Sequence, residues 1–290
     1  MSGPRVELSW RPLSPSDPPA VTDLARSCLA ADGGQPHAGD PDVIGSAYFA
    51  GAQAHSGWDG ARLVCVSAFR EGGVATTTGL VHPGWRRRGL GGQAFDWAAA
   101  AAGNAPLTAE TDMLSDGAHA LYLNKGLSQV FAEDVMQLAG PMTTPARSAP
   151  ESLVLSSWGQ ADPGRFFAVY DAAFRDRPGF PGWPRRRWVD WVSGDDDFRP
   201  DWTLLTALDG TDVGFIVGDA SGWIVQLGVV PAARGKAIGA VLIGEAVRRM
   251  RAGGDTTITL NVNVDNPHAI ALYRRLGFAR TGRRARYRRA

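Results

Sequence analysis

Two tandem α/β domains of similar size, each a mixed central sheet flanked by helices, are predicted by this 290-residue sequence. Three observations carry the prediction. The stretch Val81-His82-Pro83-Gly84-Trp85-Arg86-Arg87-Arg88-Gly89-Leu90-Gly91 returns in outline as Val229-Val230-Pro231-Ala232-Ala233-Arg234-Gly235-Lys236-Ala237-Ile238-Gly239. A second phrase, Ala118 to Tyr122 with Gly126-Leu127, returns as Ala269 to Tyr273 with Gly277-Phe278. Pro231 lies 148 residues after Pro83 and Tyr273 lies 151 after Tyr122, so order and spacing are both kept. Around these phrases the apolar pattern alternates between strand and helix periods in both halves, the pattern of an α/β layer fold. The expected division is 1–142, a linker at 143–150 and 151–290, because Gly140 to Pro150 is a Pro/Ser/Thr stretch without apolar periodicity.

Each element has a local reason. In the first half, a strand is expected at Val6–Trp10, helices near Pro18–Ala30 and Val43–Ala54, and a hairpin over Leu63–Thr78. A strand-to-loop junction follows at Val81–Pro83, with a helix from Gly89. The second half opens with a strand at Leu153–Leu155. A helix over Pro163–Phe174 places Phe166, Phe167, Tyr170 and Phe174 at helical spacing, and another over Pro184–Val192 groups Trp188, Trp191 and Val192. Strands at Trp202–Leu208 and Val213–Val217 are joined by Asp209-Gly210, a strong hairpin signal. A strand at Trp223–Val230, a helix at Ala237–Met250, a strand at Thr256–Val262 and a helix at Pro267–Leu276 stopped by Gly277 complete the order. Each half thus reads β-α-α-β-β-β-α-β-α-β plus a terminal strand. The basic tail Arg283–Arg289 is read as an exposed edge strand that resists unwanted pairing.

Bulk properties exclude several classes. A formal net charge of +1 offers no field for nucleic acid or an anionic membrane. Neither a basic-then-apolar leader nor a run of 18 apolar residues occurs, so a cytoplasmic location is expected. Cys28 and Cys65 are read as buried free thiols, and clustered metal ligands are lacking. His82 and His119 are read as structural.

The chemistry sits at the repeated junction of strand, proline, Arg/Gly-rich loop and helix. The first N–H groups of a helix lack partners within it, and the helix dipole adds partial positive charge there. Glycines let a pyrophosphate approach the backbone, and arginines add charge-assisted contacts. Arg86-x-x-Gly89-x-Gly91 meets these needs; Arg234-x-x-Ala237-x-Gly239 meets them with one Ala for Gly. A P-loop and a Rossmann fingerprint are both set aside, since neither spacing is present.

These residues resemble the GNAT superfamily of acyl-CoA-dependent N-acyltransferases. That family carries an Arg/Gln-x-x-Gly-x-Gly/Ala loop after its fourth strand, then an Asn-x-x-Ala and Tyr-x-x-x-Gly-Phe helix. The second half matches both phrases, the latter as Asn266-Pro267-His268-Ala269…Tyr273…Gly277-Phe278; the first half has Ser115 and Leu127 at the Asn and Phe positions. The arrangement is similar to that of tandem double-GNAT proteins. The resemblance implies two tandem GNAT-like domains and acetyl-CoA, or another acyl-CoA, as co-substrate without a metal. In the second half it implies cofactor contacts from Leu227, Gly228, Val229, Arg234, Gly235, Lys236, Ala237, Ile238, Gly239, Ala240 and Asn266. In the first half it implies Val81, Arg86, Arg87, Arg88, Gly89, Leu90, Gly91 and Gly92.

It further implies acyl transfer to a small-molecule primary amine in the second half, by a monomer or homodimer. Tyr273 is the expected proton donor to the departing CoA sulfur. Its phenol is expected to need only a modest downward shift from about 10 to match a thiol near 8.5. The first half is expected to be degenerate or to bind CoA only. The general base is left open among Asp219, Asp265 and a water chain, because Gln226 cannot take a proton. For the same reason a non-catalytic acyl-CoA-binding protein is the alternative. Phe174, Phe180, Trp183, Trp188, Trp191, Phe198 and Trp202 are read mainly as core.

Overall fold

A computed structural model describes residues 8–143, 150–177 and 179–289. Most of the expected linker (144–149) and the start of the expected first strand lie outside the described residues. The chain forms two compact units, Met1–Val135 with Thr281–Ala290, and Met136–Arg280.

The first unit contains β1 (Ser9–Pro12), α1 (Pro18–Asp32), α2 (Pro41–Ile44), β2 (Gln53–Asp59), β3 (Arg62–Arg70), β4 (Ala75–Val81), α3 (Leu90–Ala102), β5 (Leu107–Thr111), α4 (Asp116–Asn124) and most of β6 (Leu127–Leu138). The second contains β7 (Leu153–Ser157), α5 (Pro163–Phe174), α6 (Arg185–Ser193), β8 (Leu204–Leu208), β9 (Thr211–Gly218), β10 (Trp223–Val229), α7 (Ile238–Ala252), β11 (Ile258–Asn263) and α8 (Pro267–Arg275). The last strand, β12 (Ala279–Arg289), begins in the second unit and runs into the first from Thr281. No described helix is long and apolar enough to cross a membrane.

Helices form where the stripe and the end signals agree. Helix α1 starts on Pro18-Pro19, buries Val21, Leu24, Ala25 and Cys28, and stops at Gly33 with φ 66°. Helix α7 buries Ile238, Leu242, Ile243, Ala246, Val247 and Met250 against the strands of the second unit. Both cysteines are free and buried, as expected. Burial pushes the Cys28 thiol up to about 11 and that of Cys65 up to about 12.

Three expectations are corrected. The helix expected over Val43–Ala54 is one α turn, Pro41–Ile44, followed by a π turn, Gly45–Phe49. Gly51 then takes φ 66°, and strand β2 begins at Gln53, paired antiparallel with β3. Small residues there mimic a helical period, but pairing with β3 decides the outcome. Arg70 seals the turn, donating to the carbonyls of Ala50 and Ser46 at 2.6 Å each.

Among the described residues each half has one long strand after its last helix, the 12-residue β6 and the 11-residue β12, in place of the expected strand plus terminal strand. The basic tail is not an exposed edge. In the first unit β12 lies between β5 and β6, Tyr287 is fully buried, and Arg286 is opposite Glu110 in the β5 ladder. The charge pattern has a partner on β6: Arg283 Nε donates to Asp134 at 2.8 Å and Arg284 Nη2 to Glu133 at 2.7 Å. His119 is structural as expected. Its Nδ1 donates to the Tyr287 hydroxyl at 2.6 Å, which donates to Gln129 at 3.1 Å.

Reversing one side of this match should be costly and reversing both should not. Glu133→Arg is expected to lower the stability of the first unit by roughly 2 kcal/mol, between exposed and buried ion-pair values. Adding Arg284→Glu should restore much of it, as read by urea unfolding. A double variant no more stable than the single one would show that the pair does not govern this strand.

Candidate active site

The site begins with a sheet that opens. Strands β4 and β5 run parallel but pair only from Ala75–Leu107 to Thr77–Ala109, then part. In the second unit β10 and β11 pair only at Trp223–Thr259 and Ile224–Leu260. Each unit therefore holds a notch between two parallel strands, open at their C-terminal ends.

Backbone polarity at the notch follows from the ladder on its other side. Val230 N donates to Val213 O at 2.9 Å, so antiparallel alternation turns the N–H groups of Leu227 and Val229 toward the notch. The same reasoning from His82 N to Val64 O turns Gly79 and Val81 toward the notch of the first unit. Gly228 faces the other way. A Cβ on it would lie 2.6 Å from a Phe215 ring atom and 3.0 Å from Phe174, so this glycine serves ring packing rather than a cofactor. The units differ in one respect: β10 has a bulge between Ile224 and Gln226, directly after the last pair with β11, whereas β4 keeps regular register.

Beyond each strand the loop makes two left-handed turns before the helix. Arg87 and Gly89 have φ 64° and 83°; Gly235 and Ala237 have φ 77° and 62°. Each copy keeps glycine at one of the two positions and strains a side-chain-bearing residue at the other. Gly91 and Gly239 serve packing. A Cβ there would lie 3.2 Å from Leu121 and 3.3 Å from Leu272, the helix that carries the conserved-position tyrosine of each unit. Around Gly89, Gly92 and Gly235 an added Cβ would meet nothing within 4 Å, leaving the main chain open. Leu90, Ile238 and Ala240 bury their side chains, so only their N–H groups can serve a ligand.

The first arginine of each loop is held by contacts within its own unit. Arg86 grips both Asp32 oxygens at 2.6 Å and donates from Nε to Val81 O at 3.2 Å. Arg234 donates from Nε to Val229 O at 3.2 Å and from Nη2 to Ala173 O at 3.1 Å. Both brace the loop against its own strand and the end of the first long helix, a structural role that their expected cofactor contact did not include. Arg88 stacks on Trp85 at 4.7 Å, and Arg87 and Lys236 are exposed at the loop. Asn266 caps α8, accepting from Ala269 N at 3.2 Å, as Ser115 caps α4 at 3.1 Å. His82 Nδ1 likewise accepts from Gly84 N at 3.1 Å.

In the first unit these parts enclose a cleft of about 510 Å³ lined by Val81, Arg86, Gly89, Gly91 and Tyr122, among others. Tyr122 and Tyr273 are buried alike, and burial pushes both phenols up to about 12, opposite to the direction expected. Asp219 is ruled out as a base. It closes the turn before β10, accepting from Ser221 and Trp223, at the end of the strand away from the notch. Asp265 is exposed in the turn after β11, at the open end. Gln226 accepts from Trp188 Nε1 at 3.2 Å.

Sequence reasoning missed Asn261. It follows Leu260, the last residue of β11 paired with β10, and its Oδ1 is buried with no hydrogen-bond partner among the described residues. At the 151-residue offset of the tyrosines, Asn261 and Asn263 correspond to Glu110 and Asp112. That offset was the available signal.

The acetyltransferase (GNAT) family model matches residues 140–278. A mycothiol acetyltransferase of Gordonia bronchialis is 31% identical over 280 residues, covering 89% of each chain. This chain belongs to the GNAT acetyltransferase family. A mycothiol acetyltransferase of Thermobispora bispora is 29% identical over 95% of this chain and 96% of its own. The GNAT fold is also shared with a GCN5-related N-acetyltransferase of Sphaerobacter thermophilus, with TM-score 0.74, 24% identity and coverage of 97% and 95%. A tandem GNAT protein from the clavulanic acid pathway aligns with TM-score 0.60 and 20% identity, over 97% of this chain and 98% of its own. The GNAT chain is thus an acyltransferase with two tandem GNAT units.

The two left-handed non-glycine residues make a stability test. Ala237→Gly is expected to stabilise the second unit by roughly 0.5–1 kcal/mol, the relief of left-handed strain less the entropy of glycine. Urea unfolding reads it; a destabilised variant would contradict the geometry of this loop.

Proposed function

We propose that this GNAT enzyme transfers an acetyl group from acetyl-CoA to the primary amine of a small molecule, with the chemistry in the second unit. The first unit holds a second acyl-CoA. The observation that carries the assignment is the bulge at the parting of β10 from β11, because bulges next to active sites re-aim the backbone. The family match to 140–278, which spans this unit, supports the same reading. The name shared by the relatives, mycothiol acetyltransferase, supports a small-molecule acceptor.

Acetyl-CoA supplies an activated thioester. The open main chain at Gly235 and the free first N–H groups of α7 suit its pyrophosphate. The N–H of Val229 is positioned to polarise a carbonyl, a fixed dipole that needs no reorganisation. Tyr273 supplies a proton. A phenol near 12 against a solvated thiol near 8.5 would leave transfer uphill by about 5 kcal/mol. In a dry site the comparison changes, because burial raises thiols too: Cys28 and Cys65 of this protein reach about 11 and 12. Desolvation would raise a CoA thiol in the same direction as the Tyr273 phenol, which narrows the gap.

Tyr273→Phe should lower kcat at least tenfold with little change in acetyl-CoA affinity, while Tyr122→Phe leaves kcat within twofold. Equal losses from both, or none from Tyr273→Phe, would move the chemistry elsewhere. Because its pKa is raised, Tyr273 stays protonated through the neutral range and loses its proton only near pH 12. The kcat profile should therefore show no Tyr273-dependent descending limb between pH 7 and about pH 10. Gly89→Asp, which adds a carboxylate at a left-handed turn, should reduce acetyl-CoA stoichiometry by calorimetry from two to one.

A further inference from the structure

The cleft of the first unit has a neighbour. On the opposite sheet face lies a smaller cavity of about 180 Å³, lined by Arg70, Thr76, Glu110, Asp112, Arg284 and Arg286 among others. The faces follow from the ladders. Thr78 is opposite Ala68, which packs with α1 and α2, and Thr76 and Arg286 share that face with Glu110. Thr77 instead reaches across the α3 side to Ser67 and the Ala68 carbonyl. Thr77, Thr78 and Thr111 line both cavities, so the two meet where β4 and β5 part. The large cleft reaches the notch from one face of the sheet, and the small cavity reaches it from the other.

The small cavity is charged with both signs. Arg70 uses two of its five N–H groups on the Ala50 and Ser46 carbonyls. Arg284 spends its donors on Glu133, and Arg286 lies 3.2 Å from Glu110. Arg70 and Arg286 keep further N–H groups for a ligand. Asp112 lies one residue past the end of β5 and is exposed, and no hydrogen bond or ion pair to its carboxylate is present among the described residues. At the corresponding positions of the second unit stand the neutral amides Asn261 and Asn263, so charge at this place belongs to the first unit alone.

We propose that this cavity binds a small zwitterion of free amino-acid size. Its ammonium lies by Asp112 at the notch, and its carboxylate is held by Arg70 and Arg286. A group carrying only one charge would leave one wall unmatched, and 180 Å³ admits an amino acid but not a coenzyme. The assignment gives the first unit a ligand beyond acyl-CoA and does not depend on which unit turns over, since binding is measured without acetyl-CoA.

The test uses the full-length protein and the twenty proteinogenic amino acids, screened by ligand-observed NMR and quantified by titration. At least one should bind saturably. For the best of them, the decarboxylated amine and the deaminated acid should each bind at least tenfold more weakly. Asp112→Asn and Arg286→Gln should each weaken the amino acid at least tenfold, with thermal unfolding confirming that both variants fold. Three results would each overturn the proposal: no saturable binding by any amino acid, equal binding by the decarboxylated amine, or binding untouched by both variants. The last would place the amino acid in the second unit.

Discussion

Two parallel strands that stop pairing while both continue impose the constraint from which the rest of each unit follows. A strand that leaves its neighbour strips a row of N–H and C=O groups of partners, and such groups cannot stay buried and unsatisfied without a penalty. In this chain the row is left facing a cavity. The loop beyond it must then reverse into a helix within a few residues, which needs two left-handed positions and a small residue where the helix meets α4 or α8. The arginine that opens each loop holds this turn in place, reaching back to the carbonyl that ends the strand. The residue that resembles a phosphate ligand in the sequence is also, in the structure, a brace for the turn.

Duplication permits the two copies to be read against each other. The loops have exchanged their strain, one placing Arg87 and the other Ala237 in a region that favours glycine, and both retain the turn. The notches have diverged more. The second copy has a bulge, two neutral amides and a tryptophan-held Gln226, an environment of fixed dipoles without charge. The first has a regular strand, two carboxylates and three arginines. The tyrosines are equally buried and raised in the same direction, but Tyr122 packs on Phe95 and Tyr287 while Tyr273 packs on Phe278.

Much of this was legible before any coordinates. The element order, the limits of α5, the loop-to-helix junctions and the tyrosine helices all follow from periodicity and end signals that act within a few residues. The failures have different causes. The end of helix Val43–Ala54 was lost to a hairpin with the neighbouring strand β3, and β12 was misread because Glu133 and Asp134 lie about 150 residues away in sequence. Run alone, a string of arginines looks like a solvated edge; beside an acidic strand it is an interior one. Asn261 was invisible for a different reason, since an asparagine in a strand carries no signal until its oxygen is seen to be buried and alone. The bracing contacts of Arg86 and Arg234 were not legible because a loop arginine's target depends on which acceptor lies within reach.

The last nine residues of the described chain have a consequence for biosynthesis. While the polypeptide is being made, the first unit lacks a central strand, not a peripheral one, until residues 281–289 have been added. Residues 8–135 therefore wait on the ribosome with two strand edges uncovered, and the early half cannot mature before the late half exists. A gene fusion or frameshift that removes the tail would harm the oldest part of the nascent protein first.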